Sequence, residues 1–110
     1  MTTRSTVLFA ENLSAGTNLV LFTCPVNIVT LFKSFHAFTN LGTSGQLYLK
    51  VSRPSNGALA WLLTSLVTTA EALTWEGWVA LEPGDQVLID VTGGSANVWG
   101  SGAFLPLGSQ

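Results

Sequence analysis

Along most of the chain apolar and polar residues alternate at a period of two, and Gly, Pro and Asn break the alternation at short intervals. Successive side chains of an extended strand point to opposite faces, so this pattern predicts a series of short β-strands, while helical spacing is scarce. Strands are predicted over Thr6–Glu11, Asn18–Cys24, Ile28–Phe38, Gln46–Arg53, Leu59–Leu66, Ala72–Trp75, Trp78–Leu81, Gln86–Thr92 and Val98–Leu105. In Ile28–Phe38 one face carries Ile28, Thr30, Phe32, Ser34, His36 and Phe38, and the other Val29, Leu31, Lys33, Phe35 and Ala37. Both faces are largely apolar, which predicts a central strand assigned to the core. Gln46–Arg53 sets Leu47, Leu49 and Val51 against Tyr48, Lys50 and Ser52, a half-exposed pattern with one wetter face.

Residues 40–45 (NLGTSG), 54–57 (PSNG), Pro83-Gly84-Asp85 and Gly93-Gly94-Ser95 supply side chains that accept tight or positive-φ turns. The segment Ala58–Ala72 has helical features, but Trp61, Val67 and its repeated Thr favour a strand. The expected fold is therefore all-β: a single antiparallel β-sandwich, jelly-roll-like, of roughly eight or nine short strands. One domain spans residues 1–110, with residues 1–5 as a flexible N-terminal arm, and no repeat or linker divides it.

Composition changes the picture at the surface. Charged residues make up 9% of the chain, against about 25% in a typical soluble protein. Ser, Thr, Asn, Gly and apolar groups must take their place outside, which suits a subunit whose surface is covered in an assembly. The four basic residues, Arg4, Lys33, Lys50 and Arg53, form no run, and the formal net charge is −2. The electrostatic footprint of a nucleic-acid binder is thus missing. Residues 12–32 and 91–110 carry no charge, but polar residues interrupt both well before the roughly 18 apolar residues of a spanning helix. The apolar run Val7–Ala10 is too short for a signal peptide. The expectation is no membrane partner and no export.

Candidate chemistry is sparse. His36, the one histidine, lies in an apolar strand with no positioned nucleophile, so no enzymatic role is expected. Cys24 has apolar neighbours and reads as a small buried hydrophobe. Glu71, Glu76, Glu82, Asp85 and Asp90 crowd one stretch, yet their spacing fits no calcium loop; Asp85 suits a turn and Asp90 an ordinary outward strand position. No metal and no cofactor are expected. Trp61, Trp75, Trp78 and Trp99 fit either protein contact, where aromatic residues are enriched, or a sugar-stacking platform. Trp61, Leu62, Leu63, Trp78, Trp99, Phe104 and Leu105 are the candidate interface residues, since an exposed apolar run would otherwise invite aggregation. Acids after residue 70 and three bases between 33 and 53 would allow charge-complementary contact between copies.

From about Thr17 to Phe104 the chain resembles small virion structural proteins of tailed bacteriophages. An early strand leads into residues 28–40 (IVTLFKSFHAFTN), followed by 47–51 (LYLKV), 75–87 (WEGWVALEPGDQV) and Ser101-Gly102-Ala103. The resemblance implies a β-sandwich subunit, often oligomeric, on the outside of a capsid or on a tail, with no catalytic residues to carry over. The expected role is a capsid decoration (cement) protein or minor tail subunit that packs against other virion proteins and against copies of itself, a trimer being one such arrangement. It would reside in the virion after assembly in the host cytoplasm. The alternative is a carbohydrate- or host-surface-binding β-sandwich module.

Overall fold

Six strands, all paired antiparallel, are formed by the described residues: β1 (Thr6–Thr23), β2 (Ile28–Asn40), β3 (Gly45–Arg53), β4 (Ala58–Val67), β5 (Glu71–Leu81) and β6 (Gln86–Pro106). The computed structural model describes residues 6–40, 45–67 and 71–106; the side chains of Asn40, Trp61, residues 63–67 and Glu71 fall outside that description. The expected arm at residues 1–5 and most of the expected 40–45 turn also lie outside it.

The strand count differs from the eight or nine expected because three pairs of short strands are each one long strand. β1 contains the predicted 6–11 segment and all of the 18–24 segment but Cys24, β5 the 72–75 and 78–81 segments, and β6 the 86–92 and 98–105 segments. The small and polar residues between them bend the backbone without ending the ladder. In β6 the bend falls at Gly93, which has φ of +84°, so Gly93-Gly94-Ser95 is a bend within a strand and not a hairpin turn. In β1 the matching irregularity lies between Ser14 and Leu19 and includes Asn18 at φ of +53°. Asn accepts this left-handed conformation more readily than most residues do.

These two bends fold one sheet into a sandwich. Residues 86–92 of β6 pair with β3 on one edge and with residues 16–23 of β1 on the other. Residues 95–106 pair with β2 on one edge and residues 95–102 with residues 6–14 of β1 on the other. One layer therefore reads β4-β3-β6-β1 and the opposite layer β5-β2-β6-β1, with β6 and β1 passing from layer to layer. This is an all-β antiparallel curled sheet of jelly-roll type.

The core lies between the layers. Leu47 and Leu49 of β3 and Val87, Ile89 and Val91 of β6 face inward from one layer, and Phe32, Phe35, Ala37, Ala96 and Val98 from the other. Phe9 packs between Phe32 and Phe35, with ring centroids 6.0 and 6.3 Å away, and Trp75 stacks on Phe32 at 5.0 Å. Trp75 is thus a core residue and not part of any exposed platform. The alternation read from Ile28–Phe38 fails at the bulge at Lys33, where β2 carries one residue more than β6 between Phe32 and Ser34. Beyond it the faces swap, so Phe32 and Phe35 both point inward while His36 and Phe38 point out.

Between β5 and β6, Glu82-Pro83-Gly84-Asp85 forms a tight turn closed by a 2.9 Å bond from Asp85 N to Glu82 O. Pro83 presets its φ, and Gly84 takes φ of +91°, which a side chain would resist. Cys24 is buried beside this end of the sandwich, its thiol within reach of the Ile28 and Leu81 carbonyls (3.2 and 3.3 Å) and the Thr30 hydroxyl (3.2 Å). It packs as a small buried group, as its neighbours predicted.

Candidate functional site

The outward side of the β5-β2-β6-β1 layer is built from rows of side chains fixed by the strand register. One row runs Thr74, His36, Trp99, Ala10; its neighbour runs Ala72, Phe38, Asn97, Asn12; the next runs Glu76, Ser34, Ser101, Val7. Residues directly opposite in a ladder share a face, so these twelve positions form one continuous surface. Glu76 is the only charged residue among them. Phe38 and Trp99 stay 56% and 48% exposed, and His36 is exposed between Thr74 and Trp99. A groove of about 330 Å³ runs between Phe38, Ala72, Thr74 and Trp99. Large aromatic groups left in water beside small residues describe a surface with a high cost of hydration and little side-chain entropy to lose on contact.

A second groove, of about 490 Å³, adjoins this surface near the bulge and is lined by Lys33, Ser34, Glu76, Gly77, Trp78 and Ser101. Trp78 is 69% exposed, and the Lys33 ammonium stands 4.8 Å from its ring centre in a cation–π contact. Of the other interface candidates, Phe104 is exposed with its ring 6.2 Å from Phe22, Leu105 is half-buried in register with Val29, and Leu62 packs against the core. The side chains of Trp61 and Leu63 fall outside the described residues. Trp78 and Trp99 therefore lie on or beside one surface, Phe104 and Leu105 lie toward the end of β6, and Leu62 belongs largely to the interior. Phe38 and His36 were missed as surface residues, because only the bulge turns them outward.

Lys50, Asp90, Arg53 and Asp85 are paired within the chain. Lys50, predicted on a wetter face, is 4% exposed, and Asp90, predicted as an ordinary outward position, is 9% exposed. Both do lie on the outer side of the β4-β3-β6-β1 layer, where Lys50 is in register with Leu88 and Tyr48 with Asp90. Lys50 Nζ donates to both Asp90 carboxylate oxygens at 3.0 Å and to Asn18 Oδ1. Asn18 N donates to Asp90 Oδ1 at 2.6 Å. The bend at Asn18 is what brings its backbone and side chain over this pair. At the nearby sandwich end, Arg53 Nε is 3.1 Å from each Asp85 oxygen, and Nη2 is 2.8 Å from Asp85 Oδ2 and 3.8 Å from Glu82 Oε2. The hydrogen bonds to Asp85, then the attraction of Asp85 and Glu82, raise the Arg53 pKa above its ordinary value and keep the guanidinium charged.

Three of the four basic residues are thus engaged internally, two of them with acids of the 71–90 stretch. The expected charge-complementary contact between copies gives way to pairing inside the chain for Lys50 and Arg53. Among the described residues no three of His, Cys, Asp and Glu converge as metal ligands.

Neither a family profile nor a curated sequence matches the chain. Solved structures do share its fold. A chain from the structure of infectious bursal disease virus Gx strain superposes with a TM-score of 0.59 at 9% identity, over 99% of this chain and 34% of that one. The present chain thus spans about a third of that viral chain. The globular domain of zebrafish complement 1qA protein matches with a TM-score of 0.52 at 18% identity, over 92% of this chain and 96% of the other. The Drosophila NLP core matches with a TM-score of 0.50 at 12% identity, over 96% and 99% of the two chains. At these identities the likeness concerns the fold: a jelly roll shared by viral, complement and NLP domains.

Proposed function

We propose that the chain is a structural subunit of a bacteriophage virion, a capsid decoration or minor tail protein that acts by packing against copies of itself and other virion proteins. The observation that carries this is the outer face of the β5-β2-β6-β1 layer, where Phe38 and Trp99 are exposed among small and uncharged residues. An aromatic surface with one charge in three rows favours protein contact, in which aromatic groups are enriched and charges depleted. The engagement of Lys50 and Arg53 inside the chain adds to this, since it leaves the exterior poorer still in charge. The shared fold with a viral chain supports a particle role, and the pentamer formation described for the Drosophila NLP core supports a homo-oligomer of this fold. In this role the protein catalyses no reaction and resides in the assembled virion. Size-exclusion chromatography with light scattering, together with cosedimentation on phage particles, tests it. Oligomers that sediment with particles are expected; a stable monomer that stays in the supernatant overturns the proposal.

A second reading, a carbohydrate- or host-surface-binding module, draws on Trp78, the most exposed of the described tryptophans, beside the polar groove of Ser34, Glu76 and Ser101. Binding on a glycan array that is lost in Trp78→Ala, with oligomeric state unchanged, would favour it over subunit packing.

A further inference from the structure

We propose that Lys50 and Asn18 join in an intramolecular isopeptide bond, with Asp90 as the proton-transferring group. Three observations meet here. The Lys50 amine contacts the side-chain amide of Asn18 and both oxygens of Asp90. Lys50 and Asp90 are held in a site almost closed to water, with buried Leu88 in register beside Lys50. Asn18 is fixed at a left-handed backbone position by its own N–H bond to Asp90, and its carboxamide oxygen accepts from the Lys50 amine. A nucleophile, an acyl group and an acid–base residue in mutual contact are the complete set for amide exchange, and holding them together replaces an encounter in solution.

The step balances without any added reagent. Lys50 Nζ passes a proton to Asp90 and becomes a neutral amine. Its lone pair adds to Asn18 Cγ, forming the Nζ–Cγ bond and placing the electron pair of the carbonyl on Oδ1. A second Nζ proton reaches Asn18 Nδ2 by way of Asp90. The carbonyl re-forms as the Cγ–Nδ2 bond breaks, and Nδ2 leaves as ammonia, which takes up the remaining proton as ammonium. One lysine ammonium and one carboxamide give one secondary amide and one ammonium ion. Asn18 is solvent-exposed, so the ammonia departs directly to water while Lys50 and Asp90 stay covered.

The bond would tie β1 to β3 across β6, stapling three strands of one layer. Its role goes beyond subunit packing and stands or falls separately from it. The test is the intact mass of the purified chain under denaturing conditions, followed by tryptic mapping. The expected chain is one ammonia lighter than its sequence, and the tryptic peptide 5–33 is joined to 34–110, because trypsin cuts neither at an acylated Lys50 nor between Arg53 and Pro54, and no Lys or Arg follows. Asn18→Ala and Lys50→Arg restore the full sequence mass. Asn18→Asp forms the bond with loss of one water in place of one ammonia. Asp90→Asn slows formation about a hundredfold or more. A wild-type chain of full sequence mass after prolonged incubation overturns the proposal, as does a deficit of one water in the wild type, which would mean condensation with Asp90. An ammonia deficit that persists in Asn18→Ala overturns it too.

Discussion

Replacing Gly102 by Ala probes how closely β2 and β6 approach beside the bulge. A Cβ at Gly102 would stand 1.9 Å from the Leu31 carbonyl oxygen and 3.1 Å from Leu8 Cδ1. The carbonyl belongs to the backbone of β2, which is paired on both edges, so it cannot turn aside as a side chain does. Restoring ordinary contact needs a shift of about 1 Å between two central strands, at the upper end of the overpacking range, about 3 kcal/mol. For a domain of this size that lowers the melting temperature by roughly 12–20 °C. Gly84→Ala is the control: its Cβ would meet nothing within 4 Å, but its φ of +91° penalises a side chain, by about 1–2 kcal/mol. Gly100→Ala falls between the two, since its Cβ would strike the Phe9 ring at 2.2 Å and a ring can move. Thermal and urea denaturation of the three variants should rank Gly102→Ala as the most destabilised. If Gly102→Ala unfolds within about 0.5 kcal/mol of the wild type, the close β2–β6 approach is refuted.

Other perturbations address the charged site, the cysteine and the staple. In an Asn18→Ala background, where no Lys50–Asn18 bond can form, Lys50→Ala leaves Asp90 buried without its cation and should cost about 3–5 kcal/mol in urea denaturation, whereas Lys50→Met combined with Asp90→Leu should cost much less than the two single changes added together. The Cys24 thiol should resist Ellman's reagent in the folded protein and react fully in urea, because it is buried under the 82–85 turn. If the Lys50–Asn18 bond forms, it closes a span of 32 residues, and the loop-entropy relation gives about 3–4 kcal/mol of stabilisation over Asn18→Ala.

The sequence pattern identified the class of fold and the inward face of β3, where Leu47 and Leu49 are buried as their alternation predicted. It gave the positions of most strands but not their continuity. Glycine, asparagine and serine mark both a chain reversal and a bend in a long strand, and only the pairing partner distinguishes them: β1 and β6 bend together at Asn18 and Gly93 and stay paired on either side. The bulge at Lys33 has no signature in residue type, so His36 and Phe38 were placed in the core. Charge pairing was hidden for a related reason. Lys50 and Asp90 meet only because of the β3–β6 register, and Asn18 joins them only through a non-Gly residue at positive φ; neither feature is local to its own segment.

In the proposed role, the exposed aromatic face of the β5-β2-β6-β1 layer is the contact surface between subunits. Burying a large apolar side chain contributes about 1.5–3 kcal/mol, so removing Phe38 and Trp99 together should weaken association by a factor of roughly a hundred or more. Sedimentation velocity across a range of concentrations, comparing the wild type with Phe38→Ser/Trp99→Ser, measures this directly. Wild-type species at multiples of the 11.6 kDa chain are expected, with a folded variant that sediments as a single chain. A wild type that remains a single chain at every concentration, or a variant that assembles as the wild type does, would contradict that role.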